Sequence, residues 1–137
     1  MIRIYTDGAT SGNGKANAAG GYAWIALNEK DELVYDSAHV ENATNNICEL
    51  MAIIASCEYI SSIIGEFDNV TVYSDSAYCV NCKKEGWYKN WQNNGWKNNK
   101  KQPVANRDLW ERVIPFFEDT RFTFEKVKGH ADDKTTH

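Results

Sequence analysis

Residues 70–76 read Val-Thr-Val-Tyr-Ser-Asp-Ser. The first five form a short β-rich run, which ends beside the carboxylate of Asp75. Helical patterns flank this run on both sides. Before it, apolar residues from Ile47 to Cys57 recur at three- and four-residue spacings, with N-cap candidates at residues 44–46. After it, a helix is predicted from Ser76 to about Lys84. Because strands joined through helices run parallel, this segment predicts parallel pairing in the sheet.

The segments further out complete the sheet. Three strands joined by short turns, which favour an antiparallel meander, are predicted at residues 1–7, 20–27 and 33–40. Residues 8–19 read as a turn, and residues 86–102 show no clear period. Residues 106–118 are helical in pattern, and residues 121–127 alternate as a fifth strand. We therefore predict a single domain, residues 1–137, of the α/β class, with a five-stranded mixed sheet flanked by helices.

Composition excludes several classes of protein. The sequence has no run of 18 apolar residues that could span a bilayer, and its first residues lack the pattern of a signal peptide. We therefore expect a cytoplasmic protein with no membrane partner. We also expect it to act as a monomer. Four cysteines are present, and the lone Cys79-x-x-Cys82 pair lacks the second pair that a zinc site usually needs. These thiols are expected to be reduced and to serve in packing.

Charge is unevenly distributed along the chain. Residues 83–101 contain six lysines and one glutamate, a net charge of +5. Because the whole chain has a net charge of −4, the other residues together carry −9. A basic patch on an acidic body indicates an anionic partner, and a nucleic acid is one candidate.

Three acids are candidates for metal binding. Asp7 ends the first predicted strand, Glu49 lies one turn into the first long helix, and Asp75 follows the fourth strand. If strands one and four are neighbours, these carboxylates meet at one edge of the sheet, where they suit Mg²⁺ or Mn²⁺. Each acid also has a local alternative. Asp7-Gly8 is a turn pair, Asn46-x-x-Glu49 fits a capping box, and Asp75 fits an N-cap.

Three strings that contain these acids, and a fourth that contains His130, occur in a particular order. They are Tyr5-Thr6-Asp7-Gly8-Ala9, Thr44-Asn45-Asn46-Ile47-Cys48-Glu49-Leu50, Tyr73-Ser74-Asp75-Ser76 and Val127-Lys128-Gly129-His130. Together they closely resemble ribonuclease H type 1 over nearly the whole chain. The resemblance implies a metal-dependent endonuclease that hydrolyses the RNA strand of an RNA–DNA hybrid, leaving 3′-OH and 5′-phosphate ends. It makes Asp7, Glu49 and Asp75 ligands of two Mg²⁺ or Mn²⁺ ions, and His130 a residue that assists proton transfer or product release.

The resemblance also implies residues that bind the substrate. Residues 86–102 look like the family's basic protrusion, which grips the DNA strand. Its expected contacts are Trp87, Lys89, Trp91, Trp96, Lys97, Lys100 and Lys101. The alternative is that the indoles pack the protrusion onto the body and only the lysines touch DNA.

Other positions match the family in part. Asn13, Thr44 and Asn45 resemble groups that contact the hybrid's backbone. At two positions the sequence differs: Ala77 replaces a polar residue of the family, and Ile47 replaces a basic one.

The C-terminal sequence departs from the family. The family usually has a fourth acid at the start of a last helix, beyond the loop histidine. The sequence ends seven residues after His130, so we expect that acid and that C-terminal helix to be absent. Asp132 or Asp133 could substitute as a metal ligand. If neither does, the alternative function is a hybrid-binding module with impaired catalysis. A third hypothesis, a strand-transfer enzyme such as an integrase core, fits neither the Trp-rich protrusion nor the Thr-Asn-Asn string.

Overall fold

A five-stranded mixed sheet organises the protein. The computed structural model describes residues 1–10, 19–31, 33–41, 43–63 and 69–127. In chain order the elements are β1 (Ile2–Thr10), β2 (Gly20–Leu27), β3 (Leu33–Val40), α1 (Asn45–Ile63), β4 (Val70–Ser74), α2 (Ala77–Glu85), α3 (Trp87–Asn94), α4 (Arg107–Phe117) and β5 (Phe122–Lys126). The strand order in the sheet is β3-β2-β1-β4-β5. β1, β2 and β3 pair antiparallel, and β4 pairs parallel with both β1 and β5. This confirms the predicted mixed sheet.

The core lies between the sheet and α1. Ile2 and Ile4 of β1 are buried, whereas Tyr5 and Asp7 on the opposite face are exposed, as the alternating pattern predicts. The buried face of α1 presents apolar side chains to the sheet, and α4 packs beside α1. β4, in the middle of the parallel part, has four of its five residues buried.

The structure adds to the sequence prediction at two places. β1 does not end at Asp7 but continues to Thr10, because Gly8, Ala9 and Thr10 pair with residues 20–22 of β2. Residues 86–102, which show no clear period, contain the helix α3. Its ends are set by Gly86 and Gly95, both in the left-handed conformation that glycine adopts most easily.

The cysteines are packing residues in the structure. All four are free and buried. Burial raises the pKa of Cys79 and of Cys82 to about 12, so both stay as neutral thiols. In the ranges that the structure covers, no helix combines the length and apolar character needed to cross a bilayer.

Candidate active site

The site forms where the parallel pairing of β1 with β4 ends. The last paired residues are Tyr5 and Tyr73, whose rings stack with centroids 4.9 Å apart. Asp7 and Asp75 each lie two residues beyond this pair. The parallel register therefore brings both carboxylates to the same edge, as the sequence predicts.

α1 approaches this edge closely because glycine lies beneath its first turn. A Cβ atom on Gly8 would lie 2.5 Å from the backbone carbon of Cys48, and one on Gly20 would lie 2.8 Å from the Cys48 Sγ atom. Only glycine permits this contact between sheet and helix. The helix begins at Asn45 because the Thr44 hydroxyl caps it, accepting the Ile47 N–H at 3.1 Å.

Glu49 is fixed by hydrogen bonds from both strands. The Gly8 N–H donates to Oε1 at 2.6 Å, and the Ser74 hydroxyl lies 3.4 Å from Oε2, at the long end of hydrogen-bond distance. The Ser74 oxygen also accepts the Ser76 N–H at 3.1 Å. Glu49 is only 7 % exposed, and a polar side chain this deeply buried needs such partners.

The local alternatives for the three acids do not hold. Asp7 lies inside β1 rather than in a turn. The carboxylate of Glu49 reaches the sheet rather than closing a capping box. The N-cap of α2 is Ser76, whose hydroxyl accepts the Cys79 N–H at 3.2 Å, rather than Asp75. All three carboxylates are therefore available for a shared role at the sheet edge.

The three carboxylates form one cluster. Oxygen atoms of Asp7, Glu49 and Asp75 lie within 4.8 Å of one another; Asp7 is exposed and Asp75 half-buried. Burial raises the pKa of Glu49 to about 8, helped by the hydrogen bond and charge of Asp75 and the charge of Asp7, and opposed by the Gly8 N–H. Hard oxygen donors around concentrated negative charge fit a divalent cation such as Mg²⁺. A groove of about 330 Å³ borders Asp7 and is lined largely by small residues of β1, β2 and β3.

The basic protrusion combines exposed lysines with packed indoles. Lys89, Lys97, Lys100 and Lys101 are exposed, and within the described residues none of them forms an ion pair. Trp96 is only 8 % exposed. Its ring centroid lies 5.8 Å from that of Trp91 and 5.0 Å from the guanidinium carbon of Arg107.

The other two indoles of the protrusion also pack onto the body. The ring of Trp91 packs on Trp110 and that of Trp87 on Tyr78, at centroid distances of 5.4 and 6.1 Å. Both indoles are partly buried against the core. The structure therefore favours the packing alternative most strongly for Trp96, while all four lysines remain accessible.

The remaining predicted residues divide into two groups. Thr44 and Asn45 lie at the start of α1, four or five residues before Glu49, and Asn45 is exposed. Asn13, His130, Asp132 and Asp133 lie outside the described residues, as does any C-terminal helix. Sequence reasoning missed Gly8 and Ser74 as partners of Glu49. The only available signal was their position next to Asp7 and Asp75.

The fold and its acidic edge define a protein of the ribonuclease H-like class. The LC9 and LC11 type 1 RNases H, the second solved with an RNA/DNA hybrid, superimpose with TM-scores of 0.74 and 0.67. The LC9 enzyme is 24 % identical, and the match covers 95 % of this chain and 64 % of the LC9 chain. The LC11 enzyme is 23 % identical, and the match covers 98 % of this chain and 90 % of the LC11 chain. At that identity the likeness establishes the fold alone.

Sequence comparison establishes the family. The RNase H family model matches residues 1–136. The ribonuclease H of Syntrophomonas wolfei is 46 % identical over 134 residues, which are 97 % of this chain and 86 % of the relative. That of Chlorobaculum parvum is 43 % identical with the same shares covered. The chain belongs to the RNase H family.

Proposed function

We propose that this protein is an endonuclease that hydrolyses the RNA strand of RNA–DNA hybrids, leaving 3′-OH and 5′-phosphate ends. The observation that carries the proposal is the convergence of Asp7, Glu49 and Asp75 within 4.8 Å in a member of the RNase H family. Relatives named ribonuclease H support the activity, and the LC11 enzyme solved with a hybrid supports the substrate.

The three carboxylates would hold Mg²⁺ or Mn²⁺, two ions when substrate is bound. Such ions stabilise negative charge on the reacting phosphate oxygens. The chain's own part is to orient the ligands: Gly8 and Ser74 fix the two oxygens of Glu49 at 2.6 and 3.4 Å. Glu49 must lose its proton to serve as a ligand, so its raised pKa makes metal affinity depend on pH.

Two surfaces would bind the hybrid. On the DNA side, the exposed Lys89, Lys97, Lys100 and Lys101 neutralise phosphates, with Trp87, Trp91 and Trp96 supporting them. On the RNA side, Thr44 and Asn45 lie near Glu49 at the start of α1. Polar groups near the cut sense the 2′-OH, which distinguishes RNA from DNA without base reading.

Several assignments rest on the sequence and the family alone. These are Asn13 as a backbone contact, His130 as the residue that assists proton transfer or product release, and Asp132 or Asp133 as a further ligand. The assignment of residues 1–137 to one domain, and of the protein as a monomer, also rests on the sequence and the family. A cytoplasmic site of action is supported by four cysteines that are all free.

A cleavage assay tests the function. A hybrid labelled on its RNA strand should be cut at internal positions in Mg²⁺ or Mn²⁺, while duplex DNA of the same sequence survives. Asp7→Asn and Asp75→Asn should each lower cleavage at least about a hundredfold, because each removes a charged ligand. Asp36→Asn, at an exposed acid on β3, is the matched control and should keep wild-type activity.

The outcomes separate the alternatives. Hybrid binding without cleavage by the wild-type protein in either metal would identify a binding module with impaired catalysis. Cleavage of duplex DNA as fast as hybrid would refute the substrate assignment. Normal activity in both acid variants would refute the site.

A further inference from the structure

A small hairpin carries three lysines of the protrusion. This basic hairpin comprises residues 96–104. Lys97 and Pro103 form a β-bridge, and the Val104 N–H donates to the Trp96 carbonyl at 2.9 Å. Nearer the tip, the Asn98 N–H donates to the Gln102 carbonyl at 2.8 Å, which closes the five-residue turn 98–102.

The carboxamide of Asn98 holds the turn from inside. Its Oδ1 atom accepts the N–H of Lys100 at 2.9 Å and the N–H of Gln102 at 3.1 Å. The Asn98 carbonyl accepts the Lys101 N–H at 2.9 Å. All residues of the turn are exposed and polar, so no apolar packing is available to fix its shape. Side chain–backbone hydrogen bonds of this kind are what order a polar turn.

The base of the hairpin is anchored separately. Trp96 and Val104 are each 8 % exposed. The side chain of Asn94 brackets Lys97, accepting its N–H and donating to its carbonyl, both at 3.0 Å. Loss of the Asn98 carboxamide would therefore loosen the tip and leave the attachment to the body in place.

The tip conformation needs this support for two reasons. Lys101 has φ +62°, in the left-handed region that a lysine rarely adopts. Lys100 and Lys101 are adjacent and Lys97 lies at the other side of the turn, so their like charges favour a more open loop. Asn98 therefore holds a conformation that the sequence around it disfavours.

We propose that Asn98 is a positioning residue for substrate binding, which fixes Lys97, Lys100 and Lys101 in the arrangement that meets the phosphates of the DNA strand. The inference rests on the proposed function. A tip that is ordered before binding loses less conformational entropy when the hybrid arrives, so the same lysines bind more tightly.

The chain supplies a matched control in the next residue. Asn99 is also an exposed asparagine in the turn, and its carboxamide forms no hydrogen bond within the described part of the chain. Neither Asn98→Ala nor Asn99→Ala changes the net charge. A difference between them therefore reports the geometry of the tip rather than its electrostatics.

The experiment compares hybrid affinity and local order. Fluorescence anisotropy with a labelled hybrid in EDTA measures binding without cleavage, and amide hydrogen exchange measures order at Lys100 and Gln102. We expect Asn98→Ala to bind about fivefold more weakly, to exchange both amides faster, and to raise KM in Mg²⁺ with kcat unchanged. Asn99→Ala should match the wild type in every measurement.

Asn98→Asp separates order from charge. A carboxylate accepts the same two N–H groups, so slow exchange at Lys100 and Gln102 should be retained. The added negative charge should still weaken binding and reduce the salt slope by about one unit. Fast exchange in this variant would contradict the role given to the Asn98 acceptor.

Failure of the inference differs from failure of the proposed function. A wild-type protein that does not bind hybrid would refute the function. A wild type that binds hybrid, with Asn98→Ala binding as tightly as Asn99→Ala, would overturn the positioning role and leave the function intact. Equal losses in both alanine variants would also overturn it, because they would show a general effect of the turn surface.

Discussion

Gly8 links the strand β1 to the helix α1 at the acidic site. Its N–H donates to Glu49 at 2.6 Å, and its missing side chain leaves room for the first turn of α1. One residue thus sets both the position of the helix and the orientation of its carboxylate.

Gly8→Ala should damage the site without removing any acid. The new methyl group would lie 2.5 Å from the Cys48 backbone, so α1 must move away and carry Glu49 with it. We expect at least about tenfold lower metal affinity and activity and a lower melting temperature. Titration calorimetry with Mn²⁺ and thermal unfolding measure both. Gly21→Ala, whose Cβ would meet only the Ala38 carbonyl at 3.0 Å, should keep metal affinity; equal losses in the two variants would contradict this account.

Among individual residues, the sequence predicts the acidic cluster better than it predicts the hydrogen-bond partners of Glu49. Asp7, Glu49 and Asp75 lie in strings that match the family, so their convergence at one edge of the sheet was predictable. The acids are 42 and 26 residues apart, so spacing alone carries little information. The roles of Gly8 and Ser74 depend on how closely a helix approaches a sheet, and no local pattern encodes that distance.

The helix α3 shows why an element can escape prediction. It has only eight residues, too few to be stable alone. Its stability comes from packing: Tyr88 is buried against Phe117, with ring centroids 5.5 Å apart, and Trp91 packs on Trp110. Its aromatic residues Trp87, Tyr88 and Trp91 are spaced as on one face of a helix, but a pattern of about two turns is too short to predict a helix by itself. The tertiary contacts that stabilise α3 cannot be read from the sequence.

The basic hairpin should contribute to binding rather than to the chemical step. Replacement of Lys97, Lys100 and Lys101 with alanine should raise KM more than it lowers kcat, because phosphate contacts on the DNA strand are alike in the ground and transition states. The salt slope of hybrid binding should fall by about one unit for each phosphate that is no longer neutralised. Steady-state kinetics at several salt concentrations measure both effects, with Lys30→Ala, in the turn before β3, as control. An unchanged slope would mean that these lysines do not touch the nucleic acid.

Across the whole molecule, aromatic contacts join the basic hairpin to the acidic edge. Trp96 packs on Trp91, Trp91 on Trp110 and Trp110 on Tyr78, with centroid distances of 5.8, 5.4 and 5.3 Å. Tyr78 lies in the first turn of α2, three residues after Asp75. Because packed rings resist displacement, this chain of contacts fixes the lysines relative to the carboxylates. The indoles, for which the sequence left both stacking on DNA and packing on the body open, thus hold the two surfaces together.

The acid cluster should make the stability of the metal-free protein fall as pH rises. The pKa of Glu49 is about 8 in the folded state, above its ordinary value of 4.5. Between these values the folded protein keeps a proton that the unfolded chain releases, so the free energy of unfolding decreases with pH across that window. Below pH 4.5 both states are protonated, and above pH 8 the loss is complete.

Thermal unfolding in EDTA from pH 5 to pH 9 tests this. Glu49→Gln keeps an oxygen that can accept the Gly8 N–H but cannot ionise, so its melting temperature should exceed that of the wild type by about 4 °C or more at pH 9. Its pH dependence should also be flatter. Mg²⁺ should restore the wild type at high pH, because the ion binds the deprotonated cluster, and should stabilise Glu49→Gln less. Glu85→Gln, at an exposed glutamate on α2, should follow the wild type. If the wild type is equally stable at pH 5 and pH 9 without metal, Glu49 does not carry the proton assigned to it.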